Sequence, residues 1–302
     1  MDCTVVITTF FSGDKLEKCI SNIDSKFKIL VIDNGCEENN KIYFENKFKN
    51  VNYLIPGNNL GVPNSYNYAF SRVKTRYMFN TQPDVEVKKG CIEKLMEAAN
   101  NYPNASILTP VIYHSGKYLG AGDFKVLKFI NYKLLDYKEK KNEIYNTIPS
   151  GDLCVDAVTG TAMLIDKIKM KEIGGWDKAI FNYYEDMDIC LRFRINGYEI
   201  LKINGAEVDH IPFSSHIIKW EKDLDYSRNW HYSWSKIYFL RKYNRKIYAA
   251  ILGVKQLILC FVKIIVYFCN KKKRNTNIAK FAGTFCSLFF IKSYYRPNIL
   301  KN

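Results

Sequence analysis

Two short runs of buried-type residues flank a helical pattern at the start of the chain, and together they restrict the fold more than any other feature. Thr4-Val5-Val6-Ile7-Thr8-Thr9-Phe10 is β-branched and apolar, and Lys28-Ile29-Leu30-Val31-Ile32-Asp33 repeats that character before Asn34-Gly35. Between them Leu16, Cys19, Ile20 and Ile23 recur at helical spacing over Lys15 to Ile23. Strand, helix, strand in that order opens a parallel α/β sheet. Ligands of such sheets lie beyond the carboxyl ends of the strands, where Thr8, Thr9, Asp33 and Asn34 fall. Asp33 then has two readings. It is an acceptor for the base or ribose of a nucleotide, or it is the acid of an Asp-Asn-Gly turn, the commoner role of such a triplet.

A turn-rich loop, Pro56 to Asn67, leads into a helix that ends near Phe70. Arg76 to Val87 reads as a strand interrupted at Pro83, with Asp84 just past the interruption. A lone carboxylate after proline says little. Combined with a distant histidine such as His210 it makes a hard-metal site, because oxygen ligands suit magnesium or manganese and one imidazole is tolerated.

Further on, Gly174-Gly175-Trp176-Asp177 precedes an aromatic run and then Tyr184-Glu185-Asp186-Met187-Asp188-Ile189-Cys190-Leu191-Arg192, in which three carboxylates occupy four positions at the start of a helix that stops at Gly197. Asp188 and Arg192 are four apart and can pair on one helix face, a structural role. Glu185 and Asp186 have no such partner within a turn. Both remain open as caps, which satisfy free amides and the helix dipole, or as a catalytic base.

These pieces in this order resemble the inverting glycosyltransferases of family 2, which have a GT-A-type nucleotide-sugar-binding fold. The resemblance runs from about Val5 to His210 and on into Trp230-His231-Tyr232-Ser233-Trp234, a stretch similar to the tail of bacterial members that build surface polysaccharides. It implies an α/β fold with a mostly parallel central sheet over residues 1–218 and a helical extension over 219–302. It implies that Thr8, Thr9, Phe10, Asp33 and Asn34 contact the nucleotide, and that Asn59, Gly61 and Asn67 form the loop and helix beneath the donor. Gln82-Pro83-Asp84 falls on the metal motif, so Asp84 and His210 hold Mg2+ or Mn2+. Gln82 departs from the usual Asp or Asn and offers a poorer ligand. Val158 to Met163 lines the acceptor side, and Asp186 falls on the general base with Glu185 beside it. The implied reaction moves a sugar, with inversion, from a uridine or thymidine diphosphate sugar to a glycan or lipid-linked acceptor.

Charge divides the chain unevenly. The first 218 residues carry 27 Lys and Arg against 27 Asp and Glu, and the last 84 carry 18 against 3, with no acid after Asp225. The whole net charge of +15 thus belongs to the tail, which calls for an anionic partner. Ile247 to Tyr267 is apolar apart from Lys255, Gln256 and Lys263, and Lys271-Lys272-Lys273-Arg274 follows. That pattern fits an interfacial helix on an anionic membrane better than a span, with a buried helical subdomain as the other reading. Phe281 to Ile291 has the same character. The expected location is peripheral, on the cytoplasmic face of the cell membrane, since the N-terminus carries Asp2 and no basic-then-apolar signal segment.

Nine cysteines without a Cys-x-x-Cys pair indicate neither a zinc knuckle nor a disulfide framework, and Cys190, Cys260, Cys269 and Cys286 lie in apolar runs as core thiols. His114 and His216 read as loop or surface residues. His231, among aromatics, reads first as packing and second as an acceptor platform. Gly120 to Gly151, rich in Lys, Tyr and Asn, reads as an acceptor-side insertion. Two rivals come from other classes. A nucleotidyltransferase would carry a basic, glycine-rich loop after the first strand, where Phe11-Ser12-Gly13-Asp14 has one glycine and an acid. A nucleic-acid-binding protein would explain the tail but not the neutral first 218 residues.

Overall fold

The computed structural model describes residues 2–114, 117–118, 123–124, 127–130, 133–137, 150–210 and 221–297. Most of the Gly120 to Gly151 segment, and His216, lie outside them. The chain forms two compact units, one of Met1–Leu127, Tyr137–Trp176 and Asp186–His216, the other of Lys128–Asp136, Asp177–Glu185 and Ile217–Asn302.

The first unit is an α/β sheet. It begins with β1 (Cys3–Thr9), α1 (Asp14–Ser21), β2 (Lys28–Asp33), α2 (Glu38–Lys47), β3 (Val51–Leu54), α3 (Val62–Phe70), β4 (Tyr77–Thr81), β5 (Val85–Val87) and α4 (Cys91–Asn101). There follow β6 (Ala105–His114), β7 (Lys117–Tyr118), β8 (Asp123–Phe124), the paired strands β9 (Leu127–Ile130) and β10 (Lys133–Tyr137), which fall almost wholly in the second unit, then β11 (Leu153–Cys154), β12 (Ala157–Val158) and β13 (Ala162–Asp166). The order closes with α5 (Lys167–Glu172), α6 (Glu185–Ile195) and β14 (Glu199–His210). The main sheet runs β11-β14-β6-β13-β4-β1-β2-β3, with β5 on β14 and β7 on β6. β1 pairs in parallel with β2 and β4, β2 with β3, and β14 with β6, whereas β13 lies antiparallel between β4 and β6.

Every residue of β1 is buried, as a strand covered on both faces requires. Val5, Ile7, Ile29, Val31, Phe79 and Leu164 form one face, packed with Leu16 and Ile20 of α1 and Ile92 and Leu95 of α4. Chain order runs outward from β1 in both directions, to β2 and β3 on one side and to β4 on the other. By the rule for open α/β sheets, the carboxyl ends of β1 and β4 are where a ligand is expected.

The second unit is helical: α7 (Glu221–Lys242), α8 (Lys246–Val266) and α9 (Lys271–Leu288). Its core joins Trp230 and Trp234 of α7 to Ala279 and Cys286 of α9. Gly283 is what allows this approach, because a Cβ there would stand 2.1 Å from the Trp230 carbonyl oxygen. His231 is fully buried and stacks on Phe181, 4.4 Å between centroids, with its ring nitrogens against the Tyr295 carbonyl and Ser293 hydroxyl. Packing is thus its role, and the acceptor-platform reading falls for want of exposure. All nine cysteines are free; Cys190, Cys260 and Cys286 are buried as expected, but Cys269 is exposed, past the end of α8.

Candidate active site

The first strands end where the sequence places a ligand. Thr8 and Thr9 close β1, in register with Ile32 and Asp33 of β2, and all but Phe10 of this group are buried. Asp33 is fully buried; its Oδ1 accepts from the Gly35 amide at 2.8 Å and its Oδ2 from the Glu37 amide at 2.9 Å. Burial raises its carboxyl, and those amides and the Tyr53 hydroxyl offset part of the rise. The turn role is therefore present.

Asn34 and Asn67 work on the protein itself. Asn34 Oδ1 accepts from the Leu60 amide at 2.9 Å and the Ser65 hydroxyl at 3.0 Å, pinning the loop to the end of β2. Asn59 Oδ1 accepts from the Gly61 amide at 2.9 Å, and Gly61, at φ 75°, precedes α3 with Pro63 in its first turn. Asn67 spends both ends of its amide on Trp176, accepting from its N–H and donating to its carbonyl, each at 2.9 Å. A Cβ on Gly175 would fall 2.6 Å from Asn67 Oδ1, and Gly175 also has φ +79°, so the Gly-Gly-Trp turn needs glycine there twice over. Asn67 is a clamp on that turn, a role its sequence position beneath a donor did not reveal.

The turn in turn locates α6. Arg192 donates through Nε to Asp188 Oδ2 at 2.8 Å and through its guanidinium to the carbonyls of Ile173 and Gly175. Asp188 is fully buried, as its pairing role predicts. Two residues earlier Asp186 accepts from its neighbour's amide, Met187, at 2.8 Å and from the Gly160 amide at 3.2 Å. The Val158 to Met163 stretch and the proposed base thus meet. Desolvation pushes the Asp186 carboxyl up, and the two amides counter part of the shift.

Immediately before α6, Tyr183 and Tyr184 both have φ +65°, a left-handed conformation that costs a bulky residue about 1–3 kcal/mol. Within the helical unit, Tyr184 packs on Tyr232 and Phe239, Tyr183 packs on Tyr232, and Ser235 donates to the Asn182 carbonyl at 2.8 Å. Those contacts hold the strained pair. No local pattern signals it, because neither tyrosine is a residue type that favours positive φ.

Asp84 and His210 come together through pairing. β5 lies antiparallel on β14 with His210 opposite Val85, which puts His210 Nε2 3.8 Å from Asp84 Oδ1. The Asp84 side chain is only 4% exposed, and its Oδ1 has no hydrogen-bond partner. A buried carboxylate oxygen left without a donor, facing an imidazole, suits a divalent cation. His114, expected at the surface, instead ends β6 with its ring 6.1 Å from that of His210. The parallel pairing of β6 with β14 is the signal that finds it, since Tyr113 stands opposite Asp209.

The glycosyl transferase family 2 profile matches residues 4–153, which run from β1 into β11 and include Asp84. The chain carries a glycosyl transferase family 2 domain. It is a glycosyltransferase with a GT-A-type fold. An N-acetylglucosaminyl-diphospho-decaprenol L-rhamnosyltransferase of Mycobacterium tuberculosis is 25% identical over 68% of this chain and 75% of its own. The mannosyltransferase PcManGT of Pyrobaculum calidifontis, solved in complex with GDP-Man and Mn2+, superposes with a TM-score of 0.56 over 96% of this chain and 87% of that one at 10% identity. GalNAc-T7, solved with UDP, GalNAc and Mn2+, gives 0.53 at 15% identity over 69% of this chain, which spans 43% of that protein.

Proposed function

We propose that this glycosyltransferase moves a sugar, with inversion, from a nucleoside-diphosphate sugar to a hydroxyl of a lipid-linked or glycan acceptor in bacterial surface polysaccharide synthesis. The observation that carries the reading is the half-buried Asp186 carboxyl, raised by desolvation and held by the Gly160 and Met187 amides. A carboxylate raised toward working pH is a better base for a sugar hydroxyl. Asp186 takes the acceptor proton as the oxygen attacks the anomeric carbon, the bond to the diphosphate breaks, and the nucleoside diphosphate leaves from the opposite face. Glu185, one residue earlier, adds negative charge beside the base.

Asp84 and His210 would hold Mg2+ or Mn2+, with Gln82 at the motif's first position contributing less. When bound, such an ion neutralises charge on the departing diphosphate. Among the described residues no three His, Cys, Asp or Glu gather as a metal site, so on this proposal the diphosphate would supply further oxygen ligands. The two solved proteins above were solved with Mn2+ together with UDP or GDP-Man, and the mycobacterial relative is named for a decaprenol-linked acceptor, which favours this assignment. Thr8, Thr9, Phe10 and Asp33 read the nucleotide, on the proposal, while Asn34, Asn59, Gly61 and Asn67 shape the loop beneath it. A lipid-linked acceptor is met at a membrane surface, on this proposal at its cytoplasmic face.

A thermal-shift screen against uridine, thymidine, guanosine and cytidine diphosphates, each with and without Mn2+, tests the donor side. A manganese-dependent rise in Tm for one or two bases is expected; no rise with any of them contradicts it.

A further inference from the structure

The surface of α8 is the largest feature that the transfer chemistry leaves unused. Its most apolar 18-residue window has a mean hydropathy of 2.2, yet only 17% of that window is buried. The buried strip is narrow: Ala249, Gly253 and Cys260 at helical spacing, with Gln256 between them. Gln256 Nε2 donates to Ser233 Oγ of α7 at 3.0 Å and Thr284 Oγ1 of α9 at 2.8 Å. The rest of the helix presents Ile251, Val254, Ile258, Phe261, Val262 and Ile265 to solvent, each about half exposed or more. An apolar face of this extent on a soluble surface marks a docking site.

Charge identifies what docks. The last 84 residues carry 18 Lys and Arg against 3 acids, so a second copy of this chain would bring like charge against like. Cations and aromatics pair at both ends of the apolar face. Arg245 lies 4.4 Å over Tyr248 before it, and Lys273 over Tyr267 and Arg274 over Phe268 lie at 5.0 and 5.5 Å after it. Aromatic rings beside Lys and Arg are the residues that settle at a headgroup layer. Lys255 and Lys263, exposed on the same helix, can reach that layer by their apolar stems.

Length alone would permit a crossing, since 21 residues give about 31 Å, close to a hydrocarbon core. The Gln256 tie forbids it. Its two partners bind the middle of α8 to α7 and α9, and α9 carries Lys271, Lys272, Lys273, Arg274, Asn277 and Lys280. A crossing either draws those groups into hydrocarbon or strips α8 away and leaves Gln256 and Lys255 bare at mid-depth.

We infer that α8 docks flat on an anionic lipid bilayer, its exposed face sunk to the acyl boundary and its flanking cations on the headgroups, without crossing. The inference extends the reading of a lipid-linked acceptor, and rests on it only for the leaflet involved. The test uses the full-length chain with vesicles of phosphatidylcholine alone or with added phosphatidylglycerol, read without donor or acceptor. Binding to the anionic vesicles should be at least tenfold tighter, weaken with salt, and fall at least tenfold in Ile258→Asp/Phe261→Asp. An Ile258→Trp variant, which keeps the face apolar, should be quenched more by lipids brominated near the headgroup than near the chain ends. Equal binding to both vesicles, stronger quenching by the deep bromines, or salt-sensitive binding to RNA with none to vesicles would each overturn it. Retention of transfer to a soluble acceptor in a protein that binds no vesicles would sink the docking and leave the chemistry standing. Loss of transfer in Asp186→Asn with full vesicle binding is the converse.

Discussion

Phe79 on β4 is fully buried, whereas Phe261 on α8 is 58% exposed, and the contrast holds for the regions around them. The catalytic sheet belongs to a stretch of zero net charge whose apolar residues face inward on both sides. The helical tail carries the whole +15 and leaves much of its apolar surface outside. The lesson is that hydropathy alone does not tell a core from a docking face. What distinguishes them is the polar chemistry around each: amide-bonded carboxylates at the strand ends, unopposed cations along α8.

The sharpest break of this comparison is a matched pair. Phe79→Ala should cost about 3–5 kcal/mol in unfolding free energy, as a large void in a packed core does. Phe261→Ala should change it by less than about 0.5 kcal/mol, measured by denaturant unfolding. Similar costs at both positions would mean that α8 is packed in solution after all.

Next in size is the pair proposed to hold the metal. Asp84→Ala should weaken nucleoside diphosphate binding in the presence of Mn2+ by about 10–100-fold, the scale on which losing groups at a metal site acts, and leave metal-free binding unchanged. Isothermal titration with and without the ion reads it; equal affinity under all four conditions would remove the cation from this site.

Much of this site is legible in the chain, and the limit is instructive. The strand ends at Thr9 and Asp33, the break at Pro83, and the start of α6 all follow from local patterns that the fold reproduces. The approach of His210 to Asp84 does not. It depends on the β5–β14 pairing, between segments more than a hundred residues apart, and the arrival of His114 depends likewise on the β6–β14 pairing. The Asn67 clamp on Trp176 is equally non-local, and its trace in the sequence is the doubled glycine at 174–175 that makes room for it. In the tail, the apolar residues of Phe281 to Ile291 look alike on paper. Cys286 is buried in the helical unit, while Phe289 and Phe290 are exposed. Gly283 decides which side faces in.

That glycine gives the third prediction. Gly283→Ala should destabilise the helical unit by about 1–3 kcal/mol, because the Trp230 carbonyl is backbone and cannot rotate away. Calorimetry should show the loss in one transition with the sheet unit's transition unmoved; a shift of both would mean that the two regions unfold as one.

The last prediction is a pH dependence that belongs to the tail. Burial, with Arg296 nearby, lowers the His231 ring from 6.5 to about 3, partly offset by the Tyr295 carbonyl. Between those values the unfolded chain binds a proton that the folded one refuses. Stability should therefore fall as pH drops through that window, by up to about 1.4 kcal/mol per unit. His231→Asn should flatten that slope even if it lowers stability throughout. An unchanged slope would assign the acid sensitivity to other groups.

The central claim is that Asp186 is the base. Transfer by Asp186→Asn, measured at saturating donor and acceptor beside the affinity of the same protein for nucleoside diphosphate, tests it most directly. The amide keeps the shape and cannot take the proton, so kcat should fall about 10²–10⁴-fold while nucleotide affinity stays within a factor of two or so. A kcat near that of the unaltered chain, with nucleotide still bound, would contradict the assignment and hand the role to Glu185 or another group.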